Sequence, residues 1–210
     1  MSRREVRATY DRIAEHFAQT RAHAWEDVES FVESAPNGVV LDLACGNGRH
    51  AELFSDRGDR VVCADLSRPM LETARTRLES ASIEFVQVDG AAIGLQRNTI
   101  DAAVYIAALH HLPTQSLRRQ SLAELGRVLT AGGEGLVSVW ATTHPTFDRT
   151  SGFDTTVDWT LPDGTVVDRF YHIYDPVEFD RDLEAASLTV VDRFESHGNC
   201  YAVVEGDGDG

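Results

Sequence analysis

Short apolar runs recur along the chain and are separated by segments with helical periodicity. The runs at residues 39–44, 61–64, 83–88, 102–107 and 135–140 predict strands, and helices are predicted at 49–56, 69–79 and 115–129. Because the strand runs are continuously apolar rather than alternating, they indicate a parallel sheet that is covered by helices on both faces. The paired Gly132 and Gly133 are predicted to end the third of these helices and to turn the chain into the next strand.

The rest of the chain divides around this core, residues 37–140. Two helices at 4–18 and 25–34 precede it, and residues 1–36 are predicted to form a lid. Residues 141–168 are polar, rich in Thr and Asp, and interrupted by Pro145 and Pro162, which predicts a substrate loop or a short hairpin. Residues 169–205 are predicted to hold a helix at 176–186 and strands at 188–193 and 201–205, before a disordered Gly/Asp tail at 206–210. We therefore predict one α/β domain with seven strands.

Charge is the unusual feature of the composition. The 210 residues carry 34 acidic and 19 basic side chains, a net charge of −15, and every basic residue is Arg. This balance is typical of proteins from salt-accumulating archaea, where high ionic strength screens self-repulsion; an acidic mesophilic protein from a GC-rich genome is the alternative. Cys45, Cys63 and Cys200 lack metal-ligand spacing and are expected to be reduced. Without an apolar run of about 20 residues, we expect a soluble, cytoplasmic protein.

A glycine-rich turn follows the first predicted strand. Residues 41–49 read L-D-L-A-C-G-N-G-R, and Gly46 and Gly48 allow a ligand to approach the backbone closely. Asp65 ends the second strand, at a spacing from which a carboxylate binds the hydroxyls of a ribose, and Asp89 ends the third. Because the carboxyl ends of parallel strands meet at one edge of a sheet, Asp42, Asp65 and Asp89 are predicted to converge on one crevice.

The turn allows two other interpretations. A dinucleotide site has the same acid spacing, and Ala51 nominally completes its fingerprint, but Asp42 would then face a pyrophosphate. An acid at this position suits a cationic ligand better. The second interpretation is a glycine turn that serves only packing, which would leave the accompanying Asp65 and Asp89 unexplained.

The turn closely resembles the glycine motif of class I S-adenosylmethionine-dependent methyltransferases. Three further segments narrow the resemblance: Y-D-R-I-A-E-H-F-A-Q-T-R at 10–21; I-A-A-L-H-H-L at 106–112 with V-W-A at 139–141; and R-F-Y-H-I-Y at 169–174 with G-N-C-Y at 198–201. Together they resemble the tRNA wobble-uridine carboxymethyl methyltransferases, which include the domain fused to an AlkB-type hydroxylase in animals. The resemblance implies a single Rossmann-like domain, S-adenosylmethionine as cofactor and no metal.

The resemblance also implies residues that bind the cofactor. Gly46 and Gly48 would line its methionine part, Asp65 would bind the ribose, Asp89 with Gly90 would approach the adenine, and Ile106 would flank the sulfonium. Tyr10, Arg21, Asp42, Ala44, Asn47, Leu66 and His111 complete the predicted set.

The reaction implied is esterification of the carboxylate of 5-carboxymethyluridine at the wobble position. A carboxylate is ionised at neutral pH and needs no general base, and an arginine fork is its natural holder. The candidate catalytic residues are Arg169, Arg21, His110, His111 and Tyr171, and the candidate substrate-binding residues are Trp25, Trp140, Arg169, His172 and Asn199, of which His172 and Asn199 rest on the resemblance alone. Surface ion pairs for the arginines, and core packing for the histidines and aromatic residues, are the alternatives.

The implied partners are tRNA and a small zinc-binding activator subunit. The predicted third strand, residues 83–88, is expected at an open sheet edge where the activator would add a strand; cover by a helix of the same chain is the alternative. With a net charge of −15, tRNA binding requires a local basic patch, for example at Arg3, Arg4 and Arg7. A small-molecule methyltransferase acting on a quinone precursor, and a non-catalytic cofactor-binding subunit, remain as alternative functions.

Overall fold

A computed structural model describes residues 1–57, 59–78 and 83–206. Two helices come first, α1 (Arg3–Thr20) and α2 (Glu26–Ser34). The core then runs β1 (Val39–Leu43), α3 (Ala51–Arg57), β2 (Arg60–Asp65), α4 (Arg68–Arg77), β3 (Ile83–Gln87), β4 (Ile100–Ile106), a short 3-10 helix (Leu109–His111), α5 (Gln115–Val128) and β5 (Leu129–Trp140). The remaining elements are β6 (Phe153–Thr160), β7 (Val166–Ile173), α6 (Pro176–Ala185), β8 (Thr189–Ser196) and β9 (Asn199–Glu205).

Seven strands form one sheet in the order β3-β2-β1-β4-β5-β9-β8. The first five strands in this order, β3, β2, β1, β4 and β5, are parallel, and β9 pairs antiparallel with both β5 and β8. The order reverses between β1 and β4, which is where open α/β sheets bind ligands. This confirms the predicted Rossmann-like, mostly parallel fold.

Each face of the sheet has its own apolar core. Phe54 of α3 and Leu71 of α4 pack with Val28 of α2 over β1, β2 and β4. On the opposite face, Leu122 of α5 and Leu183 of α6 pack over β4, β5 and β9. The helices therefore cover both faces, as the continuously apolar strands predicted.

Local sequence signals set the starts of several helices. Ser2 and Glu5 form a capping box at α1. The Ser2 hydroxyl accepts a hydrogen bond from the Glu5 amide, and the Glu5 carboxylate accepts one from the Ser2 amide. Ser67 caps α4 with Pro69 in its first turn, and Asp175 caps α6 with Pro176 in its first turn. The glycine pair was interpreted wrongly: α5 ends at Val128, and Gly132 and Gly133 lie inside β5. A side chain at Gly133 would collide with the backbone of Ile100, where the pairing with β4 is irregular.

The segment 141–168 contains an ordered hairpin rather than a loop throughout. β6 pairs antiparallel with β7 as a separate two-stranded sheet, so the predicted boundary between 168 and 169 falls inside β7. Apolar and polar residues alternate along β6, and Trp159 on its inner face packs with Ile13 and Ala14 of α1. The hairpin thereby joins α1 above the carboxyl ends of the sheet. Of the predicted tail, 207–210 lies outside the described residues, and Gly206 follows β9 directly.

β3 lies at one edge of the large sheet, and among the described residues it pairs only with β2. Arg60 donates to Glu84 through its Nε atom at 2.9 Å, and the guanidinium of Arg75 lies 4.9 Å from the centre of the Phe85 ring. These side chains cover part of the edge, while Phe85 and Val86 remain half-buried. Among the described residues, no helix is long and apolar enough to cross a membrane.

Candidate functional site

A cavity of about 530 Å³ opens at the carboxyl ends of β1, β2 and β4, beneath α1 and beside β7. Its volume lies in the range of small-molecule sites. Most of the predicted residues line it: Tyr10, Arg21, Trp25, Ala44, Gly46, Asn47, Asp65, Leu66, Asp89, Gly90, Ile106, His110, His111, Trp140, Arg169, Tyr171 and Asn199. Three of the predicted residues do not line the cavity: Asp42, Gly48 and His172.

Asp65 is held at the end of β2 by backbone amides. The Gly46 amide donates to its Oδ2 at 3.0 Å, and the Ser67 amide donates to its Oδ1 at 2.8 Å. Burial raises the pKa of Asp65 to about 6, although these amide donors act in the opposite direction. Each carboxylate oxygen keeps further lone pairs with which it can accept hydrogen bonds from a ligand. Asp65 can therefore bind the glycine turn and a ligand at the same time.

The two glycines of the turn have different tasks. Gly46 lines the cavity with a φ of +54°, and a Cβ there would lie 3.3 Å from the Phe17 ring of α1. Gly48, with a φ of +75°, lies away from the cavity, and a Cβ there would meet Leu78 Cδ1 at 2.6 Å and Ala74 of α4 at 3.2 Å. The prediction that Gly48 lines the ligand is therefore wrong: it permits close packing of the turn against α4.

Asp42 lies below the cavity rather than in its wall. It is 1% exposed, and its Oδ2 accepts the Ala51 amide at 3.1 Å, while its Oδ1 has no hydrogen-bond partner. Burial raises the pKa of Asp42 to about 7, and Asp65 adds to the effect. The prediction that Asp42 lines the cavity therefore does not hold, because Asp42 lies beneath the turn. It anchors the first residue of α3 instead of contacting a ligand directly.

Two residues that line the glycine end of the cavity have buried polar atoms without a hydrogen-bond partner. Asn47 donates through Nδ2 to the Arg21 carbonyl at 2.8 Å, but its Oδ1 is buried and unpartnered. Nε2 of His50 is likewise buried and unpartnered, and burial lowers the pKa of His50 to about 3. Buried polar atoms are normally satisfied, so these atoms indicate that a polar group binds at this end of the cavity.

Asp89 lies beyond β3, at the opposite end. Its Oδ1 accepts the Ala91 amide at 3.0 Å, and its Oδ2 pairs with Arg3 of α1 at 2.5 Å. Asp89 thus connects the outer end of α1 to the strand ends. Arg3, one of the basic residues of the predicted tRNA-binding patch, is consequently neutralised by an acidic residue of the same chain.

His111 is fixed by protein groups at both ring nitrogens. Nδ1 lies 2.8 Å from the carbonyl oxygen of Phe170, which can only accept, so Nδ1 carries the proton. Nε2 therefore accepts from the Tyr10 hydroxyl at 2.6 Å. Burial lowers the pKa of His111 to about 4. This geometry argues against the predicted catalytic role, because neither nitrogen is free for a substrate; His111 instead joins α1 to β7.

His110, its neighbour, is buried and lines the cavity. The Trp140 amide donates to its Nδ1 at 2.9 Å, which leaves Nε2 as the position of the ring proton. Burial, together with His111, lowers the pKa of His110 well below its ordinary value. His110 is thus a neutral hydrogen-bond donor and is not poised to abstract a proton near neutral pH.

Arg169 and Arg21 both lie close to the indole of Trp159. The Arg169 guanidinium carbon is 4.7 Å from the ring centre and that of Arg21 is 5.2 Å away. Arg169 also lies 5.2 Å from the Tyr171 ring, and its Nε is buried without a partner. Neither arginine forms an ion pair with an acidic side chain of the described residues. The aromatic faces thus hold two uncompensated cations at the cavity.

His172 was predicted to bind substrate, and its position contradicts this. It is 7% exposed and lies between Asp154 Oδ1, 2.7 Å from its Nδ1, and Glu178 Oε1, 2.9 Å from its Nε2. Side chains alternate along a strand, so Arg169 and Tyr171 share the face of β7 that borders the cavity while His172 is on the other face. His172 joins β6 and β7 to α6.

Sequence reasoning did not identify several residues of the site. Trp159 lies in the segment that is predicted to be a loop or a short hairpin, and the alternation F-D-T-T-V-D-W-T is a strand signal that was not used. Arg49 is 9% exposed, lines the cavity and lies 5.2 Å from the Trp25 ring centre. Its place directly after the glycine turn was the available signal. Burial lowers the pKa of Arg49 to about 10, so it remains protonated at neutral pH.

Residues 40–133 match a family model that is described as a methyltransferase domain. A tRNA (carboxymethyluridine(34)-5-O)-methyltransferase from Arabidopsis thaliana is 35% identical over 142 residues, which cover 67% of this chain and 34% of that protein. The protein of the same name from Schizosaccharomyces pombe is 27% identical over 231 residues and 95% of each chain. The chain thus spans about one third of the Arabidopsis relative and nearly all of the yeast one.

Among solved structures, one similar chain comes from a complex between the Haloferax volcanii Trm112 methyltransferase activator and a putative methyltransferase. It superposes with a TM-score of 0.70 at 15% identity and covers 94% of this chain and 97% of that one. At this identity the likeness concerns the fold alone.

Proposed function

The chain belongs to the class I S-adenosylmethionine-dependent methyltransferases, in the family of the tRNA wobble-uridine carboxymethyl methyltransferases, and from this we propose that it esterifies 5-carboxymethyluridine in tRNA. The acceptor would be the carboxylate of the wobble nucleoside, and the product would be its methyl ester. The observation that carries the proposal is the pair of arginines at the cavity, Arg21 and Arg169, without acidic partners among the described residues.

The cavity fits the cofactor on its own chemistry. Asp65 at the end of β2 would accept the two ribose hydroxyls, and Asp89 with Gly90 would lie at the adenine. At the other end, the unpartnered Oδ1 of Asn47 offers an acceptor to the ammonium group of the methionine part. Asp42 lies beneath that end, where burial raises its pKa to about 7, so it is only partly ionised at neutral pH. When bound, S-adenosylmethionine supplies an electrophilic methyl group on a positively charged sulfur.

Arginines would hold the two carboxylates that meet in the site, one from the cofactor and one from the uridine. Arg21 lies at the end of α1, near the glycine turn, because its carbonyl accepts from Asn47. Arg169 lies on β7, between Trp159 and Tyr171. We therefore assign the substrate carboxylate to Arg169, whose planar fork binds a carboxylate through two parallel hydrogen bonds.

The protonation states in the site suit an acceptor that is already an anion. A carboxylate has a pKa of about 4 and needs no proton removed at neutral pH. His110 and His111 are neutral, and their Nδ1 atoms are bonded to the Trp140 amide and the Phe170 carbonyl. Catalysis would then rest on orientation: Arg169 aligns the carboxylate, and His110 offers its Nε2 proton to an oxygen of the uridine.

Mass spectrometry of tRNA nucleosides from a strain without this gene tests the proposal. We expect 5-carboxymethyluridine to accumulate where the methyl ester is normally found, and the wild-type gene to restore the ester. A gene encoding Asp65→Ala serves as the matched negative control, since it would lack the proposed ribose acceptor. An unchanged amount of the ester in the deletion strain would exclude this function.

The proposed protein partner is a small zinc-binding activator subunit that pairs with β3. Supporting this, β3 has only β2 beside it in the described part of the chain, and Phe85 and Val86 on this edge are half-buried. An added strand would supply main-chain hydrogen bonds and bury these side chains. Co-expression followed by gel filtration in high-salt buffer should give a heterodimer. A fully active monomer that stays monomeric beside the activator would rule it out.

A further inference from the structure

Aromatic rings continue outward from the cavity along the segment that connects β5 to β6. Tyr171 lies 5.3 Å from Trp140, Trp140 lies 4.7 Å from Phe147, and Phe147 lies 5.4 Å from Phe153, measured between ring centres. The guanidinium of Arg149 lies 4.3 Å from the centre of the Phe153 ring. We call Trp140, Phe147, Phe153 and Arg149 the aromatic track. Arg169 at the cavity stands at the inner end and Arg149 at the outer end.

The geometry of the track leaves ring faces available. Tyr171 and Trp140 meet at 76°, and Phe147 and Phe153 meet at 83°, so these rings pack edge to face and do not cover each other's faces completely. Trp140, Phe147 and Phe153 are all half-buried. Arg149 is exposed and forms no ion pair within the part of the chain that the structure describes. In a core cluster these rings would be fully buried. On an ordinary solvated surface they would not contact one another in a row.

We infer that the aromatic track binds the nucleotide next to the target uridine, with its base stacked on Phe147 and its phosphate at Arg149. This inference rests on the proposed function and extends it to a second subsite. Trp140 belongs both to the cavity wall and to the track, so a base flipped into the cavity would leave its neighbour beside the track. RNA recognition commonly uses such stacking of unpaired bases on aromatic side chains.

The net charge of −15 makes stacking especially relevant. Phosphate contacts give most nucleic-acid binders their affinity, and ten of the 19 arginines of this chain are paired with acidic side chains of the described residues. Arg3 and Arg7, near the start of α1, are paired with Asp89 and Asp11. Affinity for an RNA loop must then come largely from base contacts, which a series of aromatic rings provides.

The test combines a ring deletion with a base deletion. Phe147→Leu removes the aromatic face but keeps an apolar side chain, and Phe147→Trp restores a ring. Phe194→Leu is the matched control, because Phe194 of β8 is also half-buried, stacks on Tyr201 of β9 and does not line the cavity. Substrates are an anticodon stem-loop with 5-carboxymethyluridine, and the same RNA with an abasic site on the 5′ or the 3′ side of the target.

For intact RNA, Phe147→Leu should lower kcat/KM on the order of tenfold, with S-adenosylmethionine affinity unchanged and near-normal values for Phe147→Trp and Phe194→Leu. An abasic site on one side should lower kcat/KM of the wild type by a similar factor and should not lower that of Phe147→Leu further. The inference would be overturned if Phe147→Leu lowered kcat/KM by the same factor relative to the wild type on intact and on abasic RNA, or if neither abasic site affected the wild type. If the wild type methylates no form of the RNA, the proposed function itself fails.

Discussion

The hydroxyl group of Tyr10 donates a hydrogen bond to Nε2 of His111 over 2.6 Å, while Nδ1 of the same ring donates to the Phe170 carbonyl. The imidazole thereby connects α1, the 3-10 helix and β7 at one point. Because α1 and β7 both border the cavity, this connection sets the shape of the site. It also accounts for a histidine whose low pKa would otherwise suggest a direct chemical task.

Tyr10→Phe should destabilise the protein by about 1–3 kcal/mol, since it leaves Nε2 of His111 without its donor. Thr9→Ala is the matched control on the same helix, because the Thr9 hydroxyl makes only an exposed bond to the Asp168 carbonyl. Urea denaturation of the two variants measures the difference. Equal stability of Tyr10→Phe and wild type would mean that the bond does not hold α1 in solution.

Asp65→Ala should weaken S-adenosylmethionine binding by about 10- to 100-fold, because ribose donors would lose a buried acceptor. Glu72→Gln is the control, an exposed carboxylate on α4 that pairs only with Arg68. Titration calorimetry gives both affinities. Since Asp65 also holds the Gly46 amide, a melting curve must show that the variant is folded. An unchanged affinity in a folded variant would contradict the ribose assignment.

Asp42 should make the stability of the ligand-free protein depend on pH. Its folded pKa of about 7 lies above the unfolded value near 3.8, so its contribution is fully present below about pH 4 and is lost as the pH rises through 7. Relative to Asp42→Asn, the wild type should therefore gain stability as the pH falls, by up to about 1.4 kcal/mol per pH unit. Denaturation from pH 4 to 8 measures this difference.

The control for that series is Asp158→Asn, because Asp158 is exposed on β6. Its stability difference from the wild type should stay nearly constant over the same pH range. A constant difference for Asp42→Asn as well would show that Asp42 remains ionised in the folded protein.

Arg169→Ala should lower methyl transfer by about 10- to 100-fold and leave cofactor affinity nearly intact, because it removes the fork that holds the substrate carboxylate. Arg169→Lys should restore little, since an ammonium cannot make the paired bonds. Arg181→Ala, on the exposed side of α6, is the control. Should cofactor affinity collapse in both Arg169 variants, Arg169 serves the cofactor or the fold instead.

The sheet and the cavity were predictable because their signals are local. Continuous apolar runs mark buried parallel strands, and Gly46 and Asp65 lie at fixed points where such strands end. Trp159 was missed because its role depends on tertiary contacts, namely its packing against α1 and its contacts with Arg21 and Arg169. His172 was misplaced because a motif does not state which face of a strand a residue occupies. Once β7 is known, the alternation of Arg169, Tyr171 and His172 decides it.

The most direct test of the central claim is methyl transfer in vitro. Purified protein, with the activator subunit co-expressed, is incubated with labelled S-adenosylmethionine and a stem-loop that carries 5-carboxymethyluridine or unmodified uridine at the wobble position. We predict label only in the carboxymethylated RNA, in a product that mild base converts back to the acid, as expected for a methyl ester. Label in the unmodified RNA, base-resistant label, or no label in either RNA would contradict the proposal.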